Sequence, residues 1–262
     1  MPTSKPSEHR DEILDQFTRQ ATPFATAPGI RDEAALKLIV EASGAGPDDT
    51  VLDVACGPGL VVCAFASRVR HAIGIDLTPA MIERARALER EKGLRNVEWR
   101  VGDVLPLPFA GESFTITVSR YSFHHFLDPL AVLAEMKRVT APGGRVVVAD
   151  VVVSQEARKA DAYNRMEKLR DPSHVRAMTL VELSALFDEA GFRDLRKAFY
   201  RMEVELEGVL ERSFPVAGGA EEVRRMFVES LADDGLGVGA RREGGEIHFG
   251  YPIAVLSATV GR

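Results

Sequence analysis

Cysteine is scarce: the 262 residues hold two, Cys56 and Cys63. Two thiols cannot build a disulfide framework, and their spacing lacks the paired pattern of a zinc site. Both are therefore expected to be reduced and buried, and no metal site is expected. Long apolar runs are also missing. No stretch approaches the roughly 20 apolar residues that span a bilayer, and residues 1–45 are polar and charged rather than like a secretory leader, so a cytoplasmic protein is expected. Basic charge is in deficit. The 33 Lys and Arg against 39 Asp and Glu give a net charge of -6, and no basic run could neutralise a phosphate backbone, which argues against a nucleic-acid partner. What the chain does have is 45% hydrophobic residues, enough to bury a substantial core.

Charged and apolar residues alternate at helical spacing over 8–20 and 31–43, with Pro23, Pro28 and Gly29 between them. This predicts a helical N-terminal extension over 1–45, broken by a loop at those residues. From Val51 the pattern becomes short apolar runs (VLDVA, HAIGI, VEWRVGD, FTITVS, RVVVADVVV) separated by helical stretches. Runs that are apolar on both faces belong to a parallel sheet covered by helices on each side, so 46–262 is expected to be a doubly wound α/β domain. Asp128 followed by Pro129 predicts a helix start, with Leu130, Leu133, Met136 and Val139 on one face and Pro142, Gly143 and Gly144 as its end. Thr179 with Glu182 predicts a capping box for a helix stopping at Gly191. Helical inserts are expected near 154–178 and 207–245, with late strands at 197–204 and 253–260.

Chemistry concentrates at the strand ends. In VLDVACGPG, residues 51–59, an apolar strand carrying Asp53 runs into Gly57-x-Gly59 and then an apolar helix. A turn without β-carbons lets a ligand approach the backbone, and the helix N-terminus offers free N–H groups. Val62 stands where the dinucleotide fingerprint needs its third glycine, and Asp53 would repel a pyrophosphate. No Gly-Lys-Ser/Thr follows, which excludes a Walker loop. Asp76 ends the second strand 17 residues after Gly59, where a carboxylate can accept both ribose hydroxyls. Asp103 follows the third strand and suits an adenine amino group, with Val104 against the ring. Each acid alone could cap a helix; three at successive strand ends point to a nucleoside-type ligand.

These segments, with SFTITVSRYSFHHF, EMKRVTAPGGRVVVAD and ELSALFDEAGF, occur in order over about 50–192 and resemble the class I S-adenosylmethionine-dependent methyltransferases. Within them the resemblance is to the ubiquinone/menaquinone biosynthesis C-methyltransferase-like group. It implies a seven-stranded, mostly parallel Rossmann-like sheet with an antiparallel last strand and a helical substrate cover. It implies that Asp53, Gly57 and Gly59 surround the methionine of S-adenosyl-L-methionine, and that Asp76 and Leu77 hold the ribose, with Met81 close by. Asp103 and Val104 are implied to hold the adenine, and Ser119 or Arg120 the methionyl end, with S-adenosyl-L-homocysteine as product. The segment DQFTRQATPFA resembles the group's entry helix, which puts Phe17 and Phe24 at the substrate. Two cysteines beside the cofactor turn argue against an arsenic methyltransferase, which by resemblance carries several exposed ones.

Methyl transfer from a sulfonium is an in-line displacement whose rate rests on positioning, and a base matters only where the small-molecule acceptor arrives protonated. His124 and His125 lie just beyond the fourth strand, at the sheet edge where open α/β folds bind ligands. One is expected to act there and the other to pack in the loop. Asp150, at the end of the fifth strand, either orients a histidine, contacts substrate or caps the next segment. Arg170, His174 and Arg176 admit two readings: a solvated charged helix, or a grip on an acceptor carboxylate or phosphate. The functional expectation is O- or C-methylation of a small molecule by a monomer or homodimer. The alternatives are a cofactor-binding protein without turnover and, less favoured, a dinucleotide-dependent oxidoreductase.

Overall fold

A computed structural model of the chain describes residues 6–261; of the N-terminal extension expected over 1–45, residues 1–5 lie outside the described residues. Two helices come first, α1 (Pro6–Thr26) and α2 (Glu33–Ser43), followed by β1 (Thr50–Val54), α3 (Leu60–Ala66), β2 (His71–Asp76), α4 (Pro79–Lys92), β3 (Val97–Val101) and β4 (Phe114–Arg120). Then come α5 (Pro129–Val139), β5 (Thr140–Val153), α6 (Ala157–Arg170), β6 (Met178–Thr179), α7 (Leu180–Glu189) and β7 (Arg193–Glu205). The chain closes with α8 (Leu206–Glu211), α9 (Gly219–Asp233), β8 (Arg241–Glu243) and β9 (Glu246–Thr259).

The main sheet runs β3-β2-β1-β4-β5-β9-β7, with the short β6 and β8 attached to β5 and β9. Pairings from β3 to β5 are parallel, and β9 is antiparallel to both β5 and β7. The expected seven-stranded doubly wound sheet with a reversed last strand is therefore the observed one. Alternation explains its two-sided burial. Val51, Ile116 and Val147 pack under α2, α3 and α4, whereas Leu52, Val54, Val146 and Val148 pack under α5 and α7. A third apolar cluster, which includes Met166, Phe227, Phe249 and Ile253, binds α6, α8 and α9 to the extended ends of β5 and β9. Among the described residues no helix is long and apolar enough to cross a membrane.

Several boundaries differ from expectation. Pro23 does not break α1, which continues to Thr26. The turn around it is held from outside, by Arg84 donating to the Thr22 hydroxyl and by the Arg19 guanidinium over the Phe214 ring. Pro142, Gly143 and Gly144 do not end α5, which stops at Val139; they open β5, where the Gly143 amide donates to Val260 and Gly144 receives the Val260 amide. A side chain at Gly144 would meet the Thr115 carbonyl at 2.6 Å, so the close strand approach needs glycine there. β9 starts at Glu246, seven residues before the apolar run, because β8 and the end of β7 pair with its polar first part. The Asp128 cap and the Thr179/Glu182 capping box form as expected.

Candidate active site

Two cavities meet at the carboxyl ends of the parallel strands. The larger, about 400 Å³, lies between the β1–α3 turn, the ends of β2 to β4 and the inner face of α1. The smaller, about 140 Å³, lies between α1, α6, α8 and the ends of β5, β7 and β9. Phe17, Phe24, Ile30, Tyr121 and His125 line both.

The larger cavity is organised around Asp53. It is buried at 1% exposure, and neither of its carboxylate oxygens has a hydrogen-bond partner among the described residues. Burial and the neighbouring Asp76 charge push its pKa well above the ordinary range, against the pull of the Arg120 guanidinium. An unsatisfied buried carboxylate costs stability and is retained where a ligand completes it. Asp76 accepts the Gly57 and Thr78 amides, each at 2.8 Å. Burial raises its pKa too, with those hydrogen bonds working the other way. A Cβ at Gly57 would meet nothing within 4 Å, because the position opens onto the cavity. Leu77, Met81 and Val104 add apolar lining. Asp103 also reaches the cavity, but Arg10 of α1 holds one of its oxygens and the Val104 and Leu105 amides hold the other.

Two residues implied for this ligand lie elsewhere. Ser119 is fully buried and donates to the Val54 carbonyl inside the sheet. Gly59 does not line the cavity; a Cβ there would meet Trp99 at 2.5 Å and Ala85 at 2.8 Å, so its bareness serves helix–sheet packing. Arg120 does line it, with its guanidinium over the Tyr121 ring and one nitrogen donating to the Ile30 carbonyl at 2.9 Å.

The histidines lie on a 3₁₀ turn, Phe123–His125. His124 Nδ1 donates to Asp150 Oδ1 at 2.6 Å, while Asp150 Oδ2 accepts the Phe123 and His124 amides. Among the described residues Nε2 of His124 has no hydrogen-bond partner, and the ring lines the smaller cavity. Burial opposes a charged His124, but the Asp150 carboxylate overrides it, and the pKa rises. His125 Nδ1 donates to the Ser173 carbonyl at 3.0 Å, and the Phe17 ring meets the imidazole edge-on. Burial and the adjacent His124 charge pull its pKa down to about 4.

The charged insert divides. Arg170 lines the smaller cavity but is tied to Glu167 through two nitrogens and to the Ser213 hydroxyl through a third. His174 lines neither cavity. It is buried with Nε2 donating to Asn164 at 2.8 Å, and burial drives its pKa well below the usual value, with His124 and His125 adding to the fall. Arg176 points away to Glu182 on the outside. Sequence reasoning missed Tyr121, Tyr163, Tyr251 and Arg212 as lining residues, and also Ala55, which with Tyr121 takes a left-handed backbone (φ 58 and 57) one residue past a strand end. Such strain at non-glycine positions gathers at functional sites and leaves no mark in composition. Among the described residues no group of three or more His, Cys, Asp or Glu side chains could hold a metal ion.

Residues 52–148 match the family model of the methyltransferase domain. The chain is 32% identical over 200 residues to the uncharacterised methyltransferase YcgJ of Bacillus subtilis, which covers 73% of this chain and 78% of that one. The chain belongs to the class I S-adenosylmethionine-dependent methyltransferases. The crystal structure of YcgJ superposes with a TM-score of 0.79 at 25% identity, over 87% of this chain and all but 1% of the other. Two named enzymes match shorter stretches. An arsenite methyltransferase of Halobacterium salinarum is 36% identical over 56% of this chain and 38% of its own. A demethylmenaquinone methyltransferase of Renibacterium salmoninarum is 33% identical over 44% and 46%. As a methyltransferase of this class the protein uses S-adenosylmethionine to methylate a small molecule, and the larger cavity suits that ligand: the orphaned Asp53 carboxylate and the open Gly57 position are both groups that a bound zwitterionic nucleoside would complete.

Proposed function

We propose that the larger cavity binds S-adenosylmethionine and the smaller one binds the methyl acceptor, a molecule with an acidic O–H or C–H from which His124 removes the proton. The observation that carries this reading is the His124–Asp150 pair. It fixes the tautomer so that Nε2 keeps a lone pair, on a ring that lines the smaller cavity next to His125 of the wall the two cavities share. Asp53 receives the methionyl ammonium, Asp76 the ribose hydroxyls, and Asp103 with Val104 the adenine edge. Leu77 and Met81 pack beside them, and Arg120 stands near the methionyl end. The cofactor supplies an activated methyl group. The protein supplies alignment across the Phe17–Phe24–Tyr121 wall, exclusion of water by α1, and the proton acceptor. With the cofactor bound, its methyl group would pass to the deprotonated acceptor atom and S-adenosylhomocysteine would be the leaving product, the acceptor's proton being held by His124.

O-methylation and methylation of an acidic carbon share this arrangement. The second of these would extend to this chain the chemistry of the quinone-methylating relatives. Arsenite is a poor fit, because both thiols are buried and free and their pKa values are raised by burial. Small phenols and acidic-carbon compounds, screened for methyl transfer from labelled cofactor, give the assay. Once an acceptor is in hand, His124→Gln should lower kcat by about 10²- to 10⁴-fold with cofactor affinity unchanged. In the parent, kcat/KM should rise with pH through an ionisation above the ordinary histidine value, and Asp150→Asn should move that inflection to lower pH. Full activity in His124→Gln would refute the assigned base, and cofactor binding without transfer to any acceptor would favour the non-catalytic alternative.

A further inference from the structure

The polar groups on the smaller cavity's wall fall into two sets. One set is already engaged. Glu167 accepts two Arg170 nitrogens on Oε2 and the Tyr251 hydroxyl on Oε1. Asp171 accepts the Ser173 amide and hydroxyl on Oδ1 and Gln20 on Oδ2. Arg170 Nη1 donates to the Ser213 hydroxyl. The other set is free: His124 Nε2, His125 Nε2, the Tyr163 hydroxyl and the Arg212 guanidinium have no hydrogen-bond or ion-pair partner among the described residues, and all four residues line the cavity, with Arg212 the one cation among them that holds its charge at every physiological pH. Arg212 caps α8 at its C-terminus. The Glu205 carboxylate beside it is held by the Glu207 and Gly208 amides at the other end of that helix.

Which ligand completes this wall follows from counting its open valences. An acceptor bearing an ammonium group would need a carboxylate, and both acidic side chains that line the cavity, Glu167 and Asp171, are already engaged on both oxygens. A carboxylate finds an open guanidinium, whose planar donors match it in two-pronged fashion. We infer that the acceptor is a small carboxylic acid, held by Arg212 through its carboxylate, with its protic group at His124 and an apolar body between Phe17, Phe24, Met202 and Ile253. This rests on the smaller cavity being the acceptor site. The volume of about 140 Å³ limits that body to roughly a single ring. The anion grip that the sequence suggested at Arg170, His174 and Arg176 is thus carried by a different arginine.

The test is calorimetric titration of the S-adenosylhomocysteine-saturated protein with matched pairs of one-ring acids and their carboxamides, among them 4-hydroxybenzoate with 4-hydroxybenzamide, 3-hydroxybenzoate with its amide, and 4-hydroxyphenylacetate with its amide. At least one acid should bind tenfold or more tightly than its amide. That preference should collapse in Arg212→Gln, return in part in Arg212→Lys, and survive in His124→Gln. Unchanged S-adenosylhomocysteine affinity in Arg212→Gln verifies its fold, since Arg212 does not line the larger cavity. Absence of any acid preference across the set, or a preference that persists in Arg212→Gln, overturns the inference. The base assignment fails separately: methyl transfer retained in His124→Gln would sink it whatever Arg212 does.

Discussion

Gly57 and Gly59 share one turn and one backbone class, yet they should fail in different ways. Both have left-handed φ, 51 and 82, so alanine at either costs about 1–2 kcal/mol of backbone strain. At Gly57 that is the whole cost to the fold, because the new methyl group meets nothing within 4 Å. At Gly59 the methyl group collides with Trp99 at 2.5 and 2.8 Å and with Ala85 at 2.8 Å. The indole cannot swing away freely, since it is buried and its Nε1 donates to Glu89 at 2.7 Å. Overpacking of this kind adds about 1–3 kcal/mol, so Gly59→Ala should lose about 2–5 kcal/mol in all, a large share of a typical 5–15 kcal/mol domain stability. Gly57→Ala instead puts its methyl group in the larger cavity and should weaken S-adenosylmethionine binding tenfold or more, about 1.4 kcal/mol. Urea unfolding measures the first quantity and calorimetric titration the second. Trp99 is the single tryptophan, so its emission should shift in Gly59→Ala and hold in Gly57→Ala. Equal stability losses in the two variants, or undiminished cofactor binding in Gly57→Ala, would refute the division of labour.

Asp53→Asn should stabilise the cofactor-free protein by about 1–3 kcal/mol at neutral pH, since the cost of burying a carboxyl group with no hydrogen-bond partner for its ionised form is removed, while S-adenosylmethionine affinity falls; a destabilised variant with normal affinity would contradict this. The sign with pH follows from linkage: the folded-state pKa of Asp53 is raised above 3.8, so the folded chain binds more protons than the unfolded one just above that value. Parental stability should decline as pH climbs through that window, and the Asn variant should flatten the decline in pH-stepped unfolding. Arg10→Ala removes an exposed pair with Asp103 worth at most about 1 kcal/mol to the fold, but it loosens α1 over the larger cavity. Stopped-flow displacement should then show cofactor leaving severalfold faster, and an unchanged rate would mean that α1 is not held there by this contact.

The lining of the larger cavity was legible because its residues sit at fixed places in a repeating unit. Asp53, Asp76 and Asp103 each follow a short apolar run, and a parallel sheet brings successive strand ends to one edge whatever the connecting helices contain. Asp150 was placed by the same logic, although its bond to His124 rather than His125 depends on the 3₁₀ turn between them. The smaller cavity has no such grammar. Gln20 meets Asp171 across 151 residues and Tyr251 meets Glu167 across 84, and neither pair has a spacing that local pattern could reveal. Arg170 and Arg176 looked equivalent in the sequence; only the fold buries one against Glu167 and turns the other outward.

That same turn sets two adjacent imidazoles apart, so that only one of them would serve as the proposed base. The His124 and His125 ring centroids are 4.2 Å apart, too close for both to carry charge in a buried setting. The contest is decided by their partners. Asp150, a carboxylate, stabilises a proton on His124, whereas His125 faces a neutral carbonyl from Ser173. Burial acts on both rings; His124 offsets it through the Asp150 carboxylate bonded to it, whereas the Asp171 and Asp150 charges near His125 do not overcome burial and the His124 charge. His125 is thereby kept neutral at physiological pH, with an uncharged ring in the wall both cavities share, while the His124 pKa is raised. Replacing Asp150 removes the asymmetry itself. The two rings then compete for one proton on nearly equal terms, so the clean single ionisation expected for the parent should broaden in Asp150→Asn as it moves to lower pH.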